Sequence, residues 1–328
     1  MTYDSKKKSR TRALKGIIAS AIAVSALIII VAVLGDPSGR KNNGSTASSG
    51  SVSTTENVTV SADTKETETK KEEESTTATN QSSTEATTAS KEAETQKSGM
   101  NPKNYDEAID TEREAEKRVY LTFDDGPSKN TGEILDILKK YDIKATFYNV
   151  GVDSDELLEL QRRVYDEGHT LAIHTLTHKY DKIYASFENW KADVLGEQER
   201  IKNNVGITTK YYRFPGGGSN SKGAKYGTSI SQCIEWLDEN GFSYQDWNID
   251  SRDADGKVYT PDQMAQNVID SVRKSEKTDL IVLMHDAEPK TTTVKCLPKV
   301  IETLKADGYT FCQITDNTKP IHHNLYQG

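Results

Sequence analysis

Before residue 105 this 328-residue chain carries a single aromatic side chain: apart from Tyr3, every Phe, Trp and Tyr lies between Tyr105 and Tyr326. The stretch from 36 to 104, without aromatics and with few other large apolar groups, cannot assemble a core, so a folded domain is expected over 105–328. Cysteine is scarce as well. Cys233, Cys296 and Cys312 form an odd set with no C-x-x-C spacing, which excludes a cysteine-based metal or redox motif. It leaves either a Cys296–Cys312 pair or buried thiols. Basic clusters are missing beyond the N-terminus. The net charge is +5 over 1–16, −6 over 36–110 and −7 over the remainder. Nucleic acid is thereby excluded as a partner, because such a surface needs clustered Lys and Arg to displace counterions. No feature points to a protein partner.

What the N-terminal third does contain is a basic tail (1–16) followed by the uncharged run IIASAIAVSALIIIVAVL (17–34). Its 18 residues are close to the minimum for crossing a bilayer core of roughly 30 Å. Lys6, Lys7, Lys8, Arg10, Arg12 and Lys15 keep the N-terminus cytoplasmic by the positive-inside bias. The run is an uncleaved signal-anchor helix or a cleaved signal sequence. It exceeds the usual signal h-region and no clear A-x-A site follows, which favours the anchor. The expected location is the cell membrane, single-pass, with the rest extracytoplasmic, or secreted if the segment is cleaved. Residues 35–104 read as a disordered linker: 25 of the 55 residues from Gly44 to Ser98 are Ser or Thr, a composition that suits a solvated tether.

From Arg118 onward, short apolar runs alternate with amphipathic ones. VYLTFD (119–124), ATFYNV (145–150), TLAIH (170–174), YYRFP (211–215), FSYQDWNI (242–249), LIVLMH (280–285) and YTFCQI (309–314) read as strands. Helix-like stretches separate them, among them GEILDILKKY after Thr131, the segment closing at Gly168, and one around 189–204. Another begins at Thr260, where Pro261 and Gln263 complete a capping box. About seven strands alternating with helices imply an α/β fold with a parallel sheet. The pattern alone leaves a closed barrel and an open sheet both available.

In such folds functional groups collect at the C-terminal ends of strands, and the polar outliers sit there. Asp124 and Asp125 end the first strand, His174 the third, Arg213 the fourth, Asp250 and Asp253 follow the fifth, and His285 ends the sixth. Adjacent carboxylates diverge, so Asp124 and Asp125 can serve different partners. They reach less naturally the separation of roughly 5–9.5 Å that a glycosidase pair requires. His174 and His178 are spaced H-x-x-x-H, which lets two imidazoles converge on one ion. With Asp125 they form three ligands that leave positions open, as a catalytic metal needs. Arg213, placed near Asp124, would hold that carboxylate ionised. The glycines after it permit close backbone approach, so the Gly216 N–H could face an oxyanion. His285 beside carboxylates is a candidate general acid. His169 opens a strand and reads as structural, while His322 and His323 lie in the tail without an assigned role.

The ordered set TFDDGP (122–127), HTLTH (174–178), RFPGGG (213–218), DWNIDSRDA (246–254) and VLMHD (282–286) resembles the five motifs of the polysaccharide deacetylases, the NodB homology domain of carbohydrate esterase family 4. Five motifs in order over roughly 119–314 make the resemblance specific. It implies a distorted (β/α) barrel of about seven strands, TIM-like, preceded here by the transmembrane helix and the disordered stalk. It also implies metal-dependent removal of acetyl groups from a polysaccharide. By that pattern Asp124 is the general base, and Asp125, His174 and His178 bind a divalent ion, zinc or else cobalt or nickel. Gly216 contributes an oxyanion N–H, His285 is the general acid, Arg213 pairs with Asp124 and Asp253 tunes His285.

One departure is clear: Ala254 stands where many members carry Trp. The acetyl pocket is therefore expected to be lined by Trp247 or Leu283, with Asp250 able to share the role of Asp253. A domain tethered outside a membrane would meet peptidoglycan N-acetylglucosamine or another N-acetylated glycan. Chitooligosaccharide deacetylation, acetylxylan esterase activity and a non-catalytic wall-binding module are the alternatives.

Overall fold

In the β1 strand (Arg118–Asp124) side chains alternate between two surroundings, and that alternation organises the domain. Val119, Leu121 and Phe123 face the helices, while Tyr120 joins Tyr148, Ala172, Tyr211, Ile281, Cys312 and Ile314 in a second, interior cluster. The computed structural model describes residues 98–325. The basic tail (1–16), the expected anchor (17–34) and the linker up to residue 97 lie outside the described residues. No helix of the described residues is long and apolar enough to cross a membrane.

The chain runs α1 (Pro102–Glu114), β1, α2 (Lys129–Lys140), β2 (Thr146–Val150), α3 (Asp155–Asp166), β3 (Thr170–Thr175), α4 (Tyr180–Ile183), α5 (Phe187–Val205) and β4 (Tyr211–Tyr212). It continues through α6 (Lys222–Tyr226), α7 (Ile230–Glu239), β5 (Ser243–Tyr244), β6 (Ile249–Asp250), α8 (Pro261–Lys274), β7 (Asp279–His285), α9 (Thr291–Ala306) and β8 (Thr310–Cys312). Every ladder is parallel, and the path is β5-β4-β3-β2-β1-β7-β6 with β8 also on β1. β1 is the hub. Its whole length pairs with β7, while β8 takes its first half and β2 its last residues.

No ladder joins β5 to β6 among the described residues, so the barrel is distorted and open at that seam. Eight strands replace the seven expected, because FSYQDWNI (242–249) is not one strand. Only Ser243–Tyr244 and Ile249–Asp250 are paired, and the segment between them turns to supply side chains to the site. The α8 start is as read from sequence, with Thr260 and Gln263 capping each other reciprocally. α2 has a similar box, Ser128 with Thr131.

The fold begins before residue 105, which corrects that boundary. Ser98 bridges Thr209, Met100 is fully buried, and Asn101 caps α1. α1 left no apolar period to read, since its buried residue is the charged Glu112, bonded by Tyr120 and Thr315. Cys233, Cys296 and Cys312 are buried free thiols, which settles the Cys296–Cys312 alternative against a pair. Burial pushes each up to about 12.

Candidate active site

Parallel register brings the site together. Asp124 on β1 is the in-register partner of His285 on β7 and of Tyr148 on β2. Because paired residues of parallel strands project to the same face, Asp124 and His285 stand side by side at the C-terminal mouth of the interior. His174 and Arg213 follow the inward-facing Ala172 and Tyr211 by two residues, and so come to the same mouth from β3 and β4.

Asp124 is buried and receives Arg213 Nη1 at 2.8 Å. Arg213 is fully buried. It also donates to Thr122 Oγ1 (2.7 Å) and to the carbonyls of Gln245 (2.8 Å) and Asp246 (3.3 Å), and it lies over the Tyr148 ring at 4.1 Å. All its directions are thus occupied, which fixes the side of Asp124 that remains open. Removing one partner of such a buried pair costs roughly 3–5 kcal/mol, since the other charge is left uncompensated.

Asp125 takes a left-handed backbone (φ 75°) that turns its carboxylate towards β3. Its Oδ1 lies 3.3 Å from His174 Nε2 and 3.1 Å from His178 Nε2. The three ligand atoms fall within 4.8 Å of one another. His174 Nδ1 donates to the Arg213 carbonyl at 2.8 Å, which leaves the Nε2 lone pair facing a carboxylate oxygen. That oxygen is buried and accepts no well-formed hydrogen bond. Acceptors aimed at one another across about 3 Å fit a cation between them, with the second-shell carbonyl fixing the tautomer. Where no ion is held there, protonated imidazoles beside Asp125 outweigh the burial that opposes its ionisation and hold it well below the usual carboxylate range.

Several residues to which the sequence reading gave no part in the metal cluster support it. Asp193 on α5 accepts from Thr175 Oγ1 (2.5 Å), the Leu176 N–H (2.9 Å) and Thr177 Oγ1 (3.1 Å). It thus binds every residue between the two histidines. Leu176 packs against Gly196, where a β-carbon would come within 2.8 Å of it. Asp286 is fully buried, accepts from Thr131 Oγ1 (2.5 Å) and abuts Gly126 so closely that a β-carbon there would lie 2.1 Å from its Oδ2. Burial, with the charges of Asp125 and Asp124, pushes Asp286 up to about 7. Tyr180 on α4 meets the His178 ring edge-on and borders Gly216. Asp193 was hidden because it lies 16 to 18 positions from the residues it holds, and Asp286 because Thr131 is 155 positions away.

On the opposite side, Asp253 Oδ1 is 2.7 Å from His285 Nδ1, and its Oδ2 accepts from the His285 N–H (2.7 Å) and Thr293 Oγ1 (2.9 Å). Burial alone would lower the His285 pKa; the Asp253 hydrogen bond and charge outweigh it and raise it to about 9. Asp250 does not share this task, contrary to expectation. It is exposed at the end of β6 and accepts from the Arg252 N–H at 2.7 Å, closing the local turn. Leu283 sits two residues below His285 on the same face and is buried. Trp247 lines the other wall, against Gly217 and 5.7 Å from the Arg213 guanidinium carbon. Gly216 is exposed with φ 81°, and none of the described backbone groups accepts from its N–H.

Chemically, the mouth holds a carboxylate fixed by an arginine, three convergent metal donors and a proton-bearing imidazole. A family model described as polysaccharide deacetylase matches residues 111–230. Among relatives, a peptidoglycan-N-acetylglucosamine deacetylase of Bacillus cereus is 36% identical over 199 residues, covering 60% of this chain and 68% of the relative. A chitooligosaccharide deacetylase of Rhizobium leguminosarum is 29% identical, over 55% of this chain and 77% of its own length. The crystal structure of the catalytic domain of a peptidoglycan N-acetylglucosamine deacetylase from Eubacterium rectale superimposes with a TM-score of 0.61 at 35% identity, covering 64% of this chain and 94% of that one.

Proposed function

Because the chain belongs to the polysaccharide deacetylase family, and with it to the hydrolases, we propose that it hydrolyses the N-acetyl groups of peptidoglycan N-acetylglucosamine, releasing acetate. The observation that carries this reading is the convergence of Asp125, His174 and His178 between the Arg213-held Asp124 and the Asp253-held His285. A divalent ion held by those three donors, zinc by their chemistry, would supply Lewis-acid polarisation of the acetyl carbonyl and of water.

The chain's own residues do the rest. Asp124, kept in place by Arg213, takes a proton from the attacking water. The Gly216 N–H, on a turn where only glycine is at ease, faces the oxygen on which charge develops. His285 carries a proton at neutral pH and delivers it from Nε2 to the departing amine as the C–N bond breaks. Asp253 keeps Nδ1 engaged, so that Nε2 is the nitrogen that faces the site. Trp247 and Leu283 bound the space left for the acetyl group.

The glycan is inferred from location: the basic tail, the 17–34 anchor and the Ser/Thr-rich tether would present the domain to the wall outside the membrane. The full-length chain, freed of metal and then given zinc, is expected to release acetate and expose amines on peptidoglycan, and Asp124→Asn is expected to abolish both. Acetate from chitooligosaccharide or acetylxylan alone would move the substrate elsewhere in the family. No acetate from any of them, with retained wall binding, would point to a non-catalytic module.

A further inference from the structure

His322 and His323 are seated on the wall of the site. His322 lies flat on Tyr244, with ring centroids 3.8 Å apart and planes 9° apart, and its Nε2 is 3.2 Å from the Tyr244 carbonyl. The His323 N–H donates to Asp246 Oδ2 at 2.8 Å. Its Nε2 donates to the Trp247 carbonyl at 2.7 Å, and its ring meets Trp247 edge-on at 4.7 Å. The Ile321 carbonyl accepts from the Asp246 N–H at 2.8 Å.

Asp246 is fully buried, and its other oxygen accepts from the Gly218 N–H at 2.8 Å. One carboxylate therefore ties the glycine turn to the tail. The rings that the histidines hold are the rings the turn rests on. A β-carbon on Gly217 would come within 3.0 Å of Trp247, and one on Gly218 within 3.1 Å of Tyr244. Further along, the Asp246 carbonyl and the Trp247 ring contact Arg213, the partner of Asp124.

We infer that residues 321–323 are a positioning strap that sets the glycine turn, and hence the Gly216 N–H and the Trp247 wall, relative to the catalytic carboxylate. The tail spans both sides of the seam element between β5 and β6, where no ladder fixes the backbone, so side chains supply what strand pairing does not. His322 and His323 are positioning residues: none of the contacts they make is to a metal donor, Asp124 or His285. The kinetic consequence rests on the deacetylase reading above; the structural one does not.

The test compares the full-length chain with His323→Ala, with His323→Gln, whose amide can still donate to the Trp247 carbonyl, and with a chain ending at Pro320. Three quantities are measured: hydrogen exchange of the 213–219 segment, zinc affinity by chelator competition, and kcat and KM for acetate release. His323→Ala is expected to speed exchange in the turn about tenfold, as loss of about one net hydrogen bond implies, and to lower kcat by about tenfold. That is less than outright loss of an oxyanion donor. Zinc affinity should stay within about twofold, and His323→Gln should recover most of kcat. Unchanged exchange in the turn would overturn the strap. So would a parallel fall of exchange protection and zinc affinity, which marks general loosening. Should the shortened chain fail to fold, the His323 pair decides. An inactive parent chain would fault the deacetylase reading alone, because the exchange comparison needs no substrate.

Discussion

Two imidazoles, the buried His169 and the half-buried His285, stand at opposite ends of the same barrel and differ in charge. His169 precedes β3 and accepts from the Ala145 N–H through Nδ1 at 3.1 Å. Burial, reinforced by the charges of Lys144 and Arg163, pushes it down to about 3, so it is neutral. His285 is largely desolvated as well, yet Asp253 carries it up to about 9. Burial strips an imidazole of its proton unless a carboxylate is built in beside it. In this domain that carboxylate is supplied at the C-terminal ends of the strands, which is where proton transfer becomes available.

Substitutions at four positions sharpen this comparison. Replacing His285 by Asn should lower kcat by about 10²–10⁴-fold, the usual worth of a positioned acid, with zinc affinity retained; His169→Gln should leave kcat within about twofold, and steady-state kinetics separates the two. Asp193→Ala should weaken zinc by about 10–100-fold through the loosened 174–178 loop, read by chelator competition, with Asp193→Asn intermediate.

Asp253→Asn acts through pH. The folded pKa of His285 lies above its ordinary value of 6.5, so its proton is present below that range and lost as pH rises through about 9. Its stabilisation is lost over the same interval. The alkaline limb of kcat should therefore fall near pH 9 in the parent chain and nearer 6.5 in the variant. For His169 the sign reverses. Its folded pKa is depressed, so stability is lost as pH falls from about 6.5 towards 3, and His169→Gln should flatten that acid slope in equilibrium unfolding while costing about 1–3 kcal/mol for the unpaired Ala145 N–H.

The same contrast explains what the sequence made legible. Asp124, His174, Arg213 and His285 stood out because each is polar at the end of an apolar run, and period-two alternation puts them on one face. The capping box at Thr260 was readable because its partners are three residues apart. Asp193, Asp246, Asp286 and the His322–His323 tail were not, since each acts on a residue 16 to 158 positions away or is one of many acidic residues, and no local period marks it. Asp250 misled for the converse reason: it has the right residue type directly after a strand pattern, but its side chain closes a turn. The eighth strand arose because the stretch between Tyr244 and Ile249 is spent on Asp246 and Trp247 rather than on pairing.

The central claim is that Asp125, His174 and His178 form one metal site serving the chemistry at Asp124 and His285. Calorimetric titration of the metal-free full-length chain with zinc tests it most directly. One ion per chain is expected, with His174→Ala binding at least about 100-fold more weakly and Asp124→Asn still binding. Undiminished binding in His174→Ala, or none in the parent chain, would contradict it.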